Sequence, residues 1–351
     1  MSHPALQDGW IDRPHRLMHL GDLPTEHGER IKDAFVSYVV HGELTHDKPV
    51  VLCLSAIAST HHRLDFLIGP GKALDPERCT VIAVDALGNG LSISPSNSPH
   101  QARAAFPAIT VRDMVSSQSQ LLDRLGIKKL HAIVGASMGG MQALQWAVSE
   151  PERAAHIVAM TPMARTATWA RLINETSRRI LQTHPNWSDE DPAAWKAWVP
   201  LMQMVNSRTP DHWDEQFLHL PQLQAEIDQR VQAWTNQRYS IWDWMCQSHA
   251  YDAHDVGSSP GHTDTESALA SIRAQTLILA PPMDLYNPAD CARWAAERIA
   301  RCQFVEIPSR WGHQAASAAD AQSLPFLQAC VGRFLWSDAA QAQRQSNGIA
   351  S

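Results

Sequence analysis

The chain has 351 residues, of which 44% are apolar and 19% are charged, so it can form a sizeable core and general disorder is excluded. Its 29 basic and 36 acidic residues give a formal net charge of −7. This balance argues against a nucleic-acid or an anionic-membrane partner, because both favour basic patches.

Short β-branched segments alternate with amphipathic segments along most of the chain. We predict strands at 35–40, 49–54, 80–84, 130–134, 155–160, 276–280 and 303–307. The helices predicted between these strands lie at 111–125, 138–148 and 293–300. Such alternation indicates an α/β fold with a mostly parallel central sheet and helices on both faces.

This alternation stops in the middle of the chain, where helical periodicity replaces it. Helices are predicted there at 172–181, 193–205, 223–234 and 240–249, followed by a polar linker at 252–265. The predicted organisation is therefore an α/β core at 1–162 and 270–337, a helical lid insertion at 163–269, and a flexible tail at 338–351.

The cysteines and the N-terminal segment indicate the cellular compartment in which we expect the protein. None of the six Cys forms a Cys-x-x-Cys pair and several lie in apolar segments, so we expect free thiols in a reducing environment. No signal-peptide pattern and no membrane-spanning segment is recognised. We expect a cytoplasmic protein with a small-molecule substrate.

Two groups of histidines and carboxylates raise the question of a metal site. They are His61 with His62, and His249 with Asp252, His254 and Asp255. Neither group has His-Glu-x-x-His spacing or a Cys partner, so we interpret both as polar surface and expect no metal. No Gly-x-Gly-x-x-Gly pattern supports a dinucleotide site, and we expect no cofactor.

The segment 135–139 reads Gly-Ala-Ser-Met-Gly, which has the Gly-x-Ser-x-Gly form. A predicted strand runs into it and a predicted helix runs out of it. Such a sharp turn would expose Ser137 at a helix N-terminus, where backbone N–H groups favour developing negative charge. The alternative is a tight turn with a capping serine. We predict that Ser137 is a catalytic nucleophile.

A serine nucleophile needs a base, and the base needs an orienting acid. Asp284 and His313 each follow a late predicted strand, in the chain order Ser, Asp, His. Asp290 and Asp320 are alternative acids, but Asp290 fits a helix-capping role and Asp320 follows the histidine. We therefore predict a triad in which His313 moves the proton and Asp284 orients His313.

The tetrahedral oxyanion of such a reaction needs two N–H donors. We predict the backbone N–H groups of Met138, directly after the serine, and of Ile57, in the loop after the strand at 49–54. Eight of the 13 Trp lie between 169 and 244, and we expect some of them to line an aromatic pocket. Further candidates for the pocket are Trp311, Gln314 and Tyr286.

Longer segments resemble the homoserine O-acetyltransferase family of α/β-hydrolase-fold enzymes. Residues 135–147, Gly-Ala-Ser-Met-Gly-Gly-Met-Gln-Ala-Leu-Gln-Trp-Ala, resemble that family's nucleophile elbow, and 67–75, Leu-Ile-Gly-Pro-Gly-Lys-Ala-Leu-Asp, are also similar. Segments 284–288 and 312–313 resemble its acid and histidine segments. The resemblance implies the α/β-hydrolase fold, a helical lid with a deep tunnel to the serine, and often a dimer, so a homodimer is expected.

Three segments depart from that family's usual pattern. Residues 55–59 read Ser-Ala-Ile-Ala-Ser where His-Ala-Leu-Thr-Gly is usual, and the loop at 90–96 also differs. Gln314 stands where the family carries an Asp that helps to hold the amine of the acceptor. Without that charge, a buried site should bind an ammonium group weakly.

Three functions remain open from the sequence. The predicted one is a hydrolase of a small ester or amide that works through an acyl-enzyme. The alternative is an acyl-CoA-dependent O-acyltransferase, with acetyl-CoA or another acyl-CoA as co-substrate. A non-catalytic binding module is disfavoured because the triad residues are present in order.

Overall fold

The computed structural model describes residues 3–45, 47–237 and 239–348, the last eleven of them by their backbone only. The strands are β1 (Arg16–Pro24), β2 (Arg30–His41), β3 (Val50–Leu54), β4 (Thr80–Val84), β5 (Leu130–Ala136), β6 (Ala154–Met160), β7 (Gln275–Ala280) and β8 (Cys302–Glu306). The α-helices are α1 (Val111–Arg124), α2 (Met138–Ser149), α3 (Thr168–Gln182), α4 (Trp195–Asn206), α5 (Pro210–Gln216), α6 (Leu220–Asn236), α7 (Ile241–Ala253), α8 (Thr265–Ala270), α9 (Ala289–Ala296) and α10 (Leu324–Gly348).

The eight strands form one sheet in the order β1-β2-β4-β3-β5-β6-β7-β8. The pairs β1/β2 and β2/β4 are antiparallel and the remaining pairs are parallel. The predicted, mostly parallel sheet is confirmed, and all seven predicted strands are present. Strand β1 was not predicted, because it is largely exposed and is interrupted by register shifts around Gly21, so its apolar alternation is weak.

Alternate side chains of the central strands enter two separate apolar layers. In β3, Leu52 and Leu54 belong to the cluster that includes α1 and α2, whereas Val51 and Cys53 belong to the cluster that includes α10. This alternation follows from the two-residue period of a strand. Helices therefore cover both faces of the sheet, which explains why β3 and β4 are buried along their whole length.

Helices α3 to α8 lie between β6 and β7, in the part of the chain where a lid is predicted. The four predicted helices are there, and α5 and α8 are additional. The exact lid boundaries, 163–269, stay a prediction. The backbone of α10 continues through 338–348, where the sequence analysis expects a flexible tail, and 349–351 lie outside the described residues. In the described part of the chain no helix combines the length and apolarity needed to cross a membrane.

Candidate active site

Ser137 lies at the turn between β5 and α2. Its backbone is in an unfavourable left-handed conformation (φ 58°, ψ −125°), which is costly for a residue with a side chain. A Cβ at Gly135 would lie 2.0 Å from the carbonyl oxygen of Gly139, and a Cβ at Gly139 would lie 2.7 Å from that of Leu54. The flanking glycines are therefore required by close backbone packing. The Ser137 N–H donates to Met160 O on β6 (2.9 Å), which anchors the strained turn to the sheet.

The structure brings the three predicted triad residues together. His313 Nε2 lies 2.7 Å from Ser137 Oγ, and His313 Nδ1 lies 2.7 Å from Asp284 Oδ2. An ionised carboxylate can only accept, so the proton between Asp284 and His313 resides on Nδ1. Nε2 then carries the lone pair and faces the serine hydroxyl. All three side chains are buried.

The loop after β7 holds Asp284 in one orientation. Asp284 Oδ1 accepts hydrogen bonds from the backbone N–H groups of Tyr286 and Asn287, both at 2.8 Å. The amide of Asn287 in turn donates to Thr161 O at the end of β6 (2.8 Å). The ring of Tyr286 lies edge-on to that of His313, with centroids 5.1 Å apart. The acid and the base are therefore fixed by several independent contacts.

The two rival acids lie in other environments. Asp320 accepts hydrogen bonds from the hydroxyls of Ser309 and Ser323. Asp290 lies in the first turn of α9, where an acidic side chain is favoured by the helix dipole. Neither is paired with His313 among the described contacts.

The loop that follows β3 lies against helix α7. The N–H of Ala56 donates to Ser59 Oγ (2.8 Å), and the N–H of Ala58 donates to Gln247 Oε1 of α7 (3.1 Å). Between them, the N–H of Ile57 has no acceptor within the described residues, and the same is true of the N–H of Met138 at the start of α2. Both groups are therefore available to a ligand.

A cavity of about 450 Å³ contains Ser137 and His313 in its wall. Part of this wall is aromatic, and three of its Trp come from helices α4, α6 and α7. The Phe, Trp and Tyr residues that line it are Trp10, Phe66, Trp198, Trp234, Tyr239, Trp244 and Tyr286. Trp198 lies at the centre of the group from these helices, with ring centroids 4.9 Å from Trp234 and 5.3 Å from Trp244. The helical insertion therefore supplies one wall of the cavity, and the N-terminal segment and the segment after β3 supply others.

The structure places two of the three further pocket candidates on the cavity wall. Gln314 and Tyr286 line it, but Trp311 is not among the described lining residues. The Trp311 ring instead packs on the guanidinium of Arg208 (4.7 Å) and on His212 (5.4 Å). The chain turns sharply at Gly312 (φ 48°), so Trp311 and His313 diverge although they are close in sequence.

Several lining residues were missed because the sequence gives no local signal for them. The N-terminal segment contributes Trp10, and the segment after the β3 loop contributes His62 and Arg63. Arg63 donates to Ala316 O (2.9 Å), and burial lowers its pKa to about 10, so it remains cationic at neutral pH. Trp10, His62 and Arg63 lie near Ser137 only because segments that are far apart in sequence pack together.

The interpretation of the histidine groups as polar surface is wrong for three of their members. His61, His62 and His254 are buried. His61 Nδ1 and His62 Nδ1 face the carboxylates of Asp85 and Asp65, and His254 Nε2 lies 3.1 Å from Met163 O. These partners form hydrogen bonds with ring nitrogens of the three buried histidines, which the sequence pattern alone would predict to face solvent.

Asp243 connects helix α7 to the segment that follows β4. Its carboxylate accepts from the N–H (2.9 Å) and the hydroxyl (2.5 Å) of Ser96, in the segment after β4. Burial raises the pKa of Asp243 to about 7, against the opposing effect of the Ser96 hydrogen bonds. The carboxyl group therefore titrates near neutral pH in the folded protein.

We expect Asp243→Asn to reduce the loss of stability that accompanies a rise in pH towards and through about 7. Because the folded pKa lies above the unfolded value of about 3.9, the folded state binds an extra proton between these values. Stability from this group is present at low pH and is lost as the pH rises through about 7. Urea unfolding between about pH 5.5 and pH 8.5 measures the effect.

The matched control is Asp228→Asn, at an exposed position of α6. It should follow the wild-type pH dependence. If the Asp243→Asn variant also kept the wild-type pH dependence, Asp243 would not titrate in this range.

Comparison with known proteins identifies a family and several relatives that are similar to this chain. Residues 49–315 match the family described as alpha/beta hydrolase fold. A homoserine O-acetyltransferase of Thermus thermophilus is 33% identical over 282 residues, which cover 77% of this chain and 73% of that protein. The homoserine O-acetyltransferase of Symbiobacterium thermophilum is 29% identical over 356 residues, covering 89% of this chain and 91% of that protein.

Solved structures are similar over nearly the same length. The monoclinic structure of the acetyl esterase MekB has a TM-score of 0.83 and 27% identity, covering 92% of this chain and 96% of that one. The homoserine O-acetyltransferase of Bacillus anthracis has a TM-score of 0.80, covering 92% of this chain and 97% of that one. At 22% identity, the second likeness shows the fold alone.

Proposed function

The chain belongs to the homoserine O-acetyltransferase family of the α/β-hydrolase fold, and on this basis we propose that it is a serine-dependent acyl-transfer enzyme that hydrolyses small acyl esters. The observation that carries the proposal is the continuous hydrogen-bonded chain from Ser137 through His313 to Asp284, in which Ser137 and His313 line a cavity of about 450 Å³. A purely structural role would not require a strained serine at the wall of a cavity.

In the proposed first step, Ser137 Oγ attacks the acyl carbonyl carbon while His313 Nε2 takes the hydroxyl proton. Asp284 stabilises the imidazolium that forms. As the tetrahedral intermediate collapses, the bond to the leaving alcohol breaks and His313 returns the proton to the leaving oxygen. In the second step His313 takes a proton from a water that attacks the acyl-enzyme. The bond between the acyl carbon and Ser137 Oγ then breaks, His313 returns the proton to Oγ, and the acid leaves, so neither step needs a cofactor.

The N–H groups of Ile57 and Met138 are proposed to bind the oxyanion of both tetrahedral intermediates. Both lack acceptors within the described residues, and Met138 opens α2, whose N-terminus favours negative charge. Each such donor is commonly worth about 3 kcal/mol of barrier. The hydrogen bond from Ala58 to Gln247 ties this loop to the lid, so lid position and oxyanion geometry are coupled.

Hydrolysis is favoured over transfer to homoserine by the residue beside the base. Gln314 lines the cavity directly after His313 and carries no charge to pair with an ammonium group. The acetyl esterase MekB, which is 27% identical to this chain, supports the same choice because it is an ester hydrolase. The second candidate, an acyl-CoA-dependent O-acyltransferase, is favoured by the names of the curated relatives.

The two functions are separated by what the acyl-enzyme reacts with. We expect release of p-nitrophenol from p-nitrophenyl acetate in the absence of any added alcohol. We also expect that CoA release from acetyl-CoA does not increase with homoserine. CoA release that depends strictly on homoserine, with formation of O-acetylhomoserine, would establish the second candidate instead.

Gln314→Asp should shift the enzyme towards acyl transfer. A carboxylate at this position would attract the ammonium group of homoserine, and we expect the ratio of acetylhomoserine to acetate to rise about tenfold, or about 1.4 kcal/mol. The ratio is measured by chromatography of products from p-nitrophenyl acetate plus homoserine. Gln314→Asn is the matched neutral control, and equal ratios in the two variants would contradict the role given to this position.

A further inference from the structure

A group of imidazoles lies beside the cavity, where the N-terminal segment meets the 3-10 helix His61–Leu67. One ring nitrogen from each of His3, His15 and His61 lies within 4.8 Å of those of the other two. The ring centroids are 4.4 Å apart for His3 and His15, 4.5 Å for His15 and His61, and 5.4 Å for His3 and His61. Residues far apart in sequence therefore converge on one point.

The buried member of this group has an unpaired nitrogen. His61 is 2% exposed, and its Nε2 has no hydrogen-bond partner among the described residues. Its Nδ1 lies 3.0 Å from Asp85 Oδ2, so the carboxylate keeps the proton on Nδ1 and leaves a lone pair on Nε2. A carboxylate bound to the far nitrogen is the usual way in which a metal-ligating histidine is oriented.

A fourth imidazole repeats this arrangement. His62 Nδ1 lies 2.6 Å from Asp65 Oδ2, and its Nε2 lies 3.1 Å from His3 Nε2. Both carboxylates are buried, and their described side-chain partners are hydroxyl, amide and imidazole groups. Two buried negative charges next to a set of imidazole nitrogens are the electrostatic complement of a divalent cation.

We propose that His3, His15 and His61 bind a divalent transition-metal ion of the zinc class, with His62 or a water as the fourth ligand. Imidazole nitrogen is a preferred donor for zinc and its neighbours in the first transition series, whereas calcium and magnesium require oxygen. Tetrahedral Zn–N bonds of about 2.0–2.1 Å place the ligand nitrogens about 3.4 Å apart. This spacing is compatible with the 4.8 Å within which the three nitrogens lie. His15 is exposed and His3 is half-buried, so both side chains can move towards the buried His61.

The ion would attach both ends of one chain segment to the core. Residues 4–10, which lie between His3 and His15, contribute Trp10 and several neighbours to the cavity wall. The Trp10 ring also stacks on His62, with centroids 4.2 Å apart. Binding at this site would therefore hold the N-terminal wall of the cavity in place, which is a structural role outside the acyl chemistry.

The test uses the untagged full chain, freed of metal with a chelator. Isothermal titration with Zn²⁺ should show one equivalent bound, and Co²⁺ should give the visible spectrum of a nitrogen-ligated ion. We expect His3→Ala and His15→Ala to weaken binding at least tenfold, and His27→Ala, an exposed histidine outside the group, to leave it unchanged. His15 carries the test because its exposed side chain can be removed without loss of the core.

Absence of Zn²⁺ binding in the wild type, or equal affinity in the wild type and His15→Ala, would overturn the site. This readout is independent of ester hydrolysis, so it stands or fails separately from the proposed function. If the bound ion holds the N-terminal wall of the cavity in place, the metal-free enzyme should have a higher KM with kcat little changed. A KM unaffected by metal in a protein that binds one equivalent would overturn that role.

Discussion

Ser137→Ala is expected to lower kcat for the hydrolysis of p-nitrophenyl acetate by at least about a thousandfold. The substitution removes the only atom placed 2.7 Å from the unprotonated nitrogen of His313, among the described residues. Burst kinetics and mass spectrometry should also show loss of the acetyl adduct. The folded structure should survive, because the backbone N–H of residue 137 keeps its bond to Met160.

Ser271→Ala is the matched control. Its hydroxyl donates to Ala268 O at the end of α8, away from the cavity lining, and the variant should retain wild-type kcat. Turnover that persists in the Ser137→Ala variant would refute every catalytic role proposed for this site.

Asp284→Asn should lower kcat by about ten-thousandfold with little change in stability. The Asn carbonyl oxygen can keep the two backbone hydrogen bonds of the loop, from Tyr286 and Asn287. Its amide then faces His313 Nδ1 as a donor, which favours the tautomer that carries the proton on Nε2. In that tautomer His313 cannot accept the serine proton. Steady-state measurements of kcat, together with the midpoint temperature of thermal unfolding, separate the loss of catalysis from any loss of stability.

Asp290→Asn is the control for this substitution, because Asp290 is the rival acid in the first turn of α9. It should change kcat by less than about twofold. If Asp290→Asn were the damaging variant and Asp284→Asn the mild one, the assignment of the acid would be wrong.

Local sequence signals were sufficient for the core and for the nucleophile turn. Apolar β-branched segments marked seven of the eight strands. The signal is strongest for β3 and β4, because a strand buried on both faces must be apolar along its length. The small residues around Ser137 were recognisable because a Cβ at Gly135 or Gly139 would meet backbone atoms. The order Ser, Asp, His followed from the position of each residue after a parallel strand.

The surroundings of these residues could be determined only from the tertiary structure. Trp311 lies two positions from His313 yet faces Arg208, and Trp10 reaches the cavity from the other end of the chain. His61 lies in the core rather than at the surface because Asp85, on a different segment, pairs with its ring.

By itself the sequence determined most of the elements of the core, the nucleophile turn and the order of the candidate catalytic residues, because each depends on neighbours within a few positions along the chain. Only the tertiary structure decided which side chains enclose the cavity and which histidines converge beside it. Those outcomes depend on contacts between residues far apart in sequence, such as His3 with His62 and Ala58 with Gln247. The period of a strand or helix predicts which face is buried, but it does not predict what that face will meet.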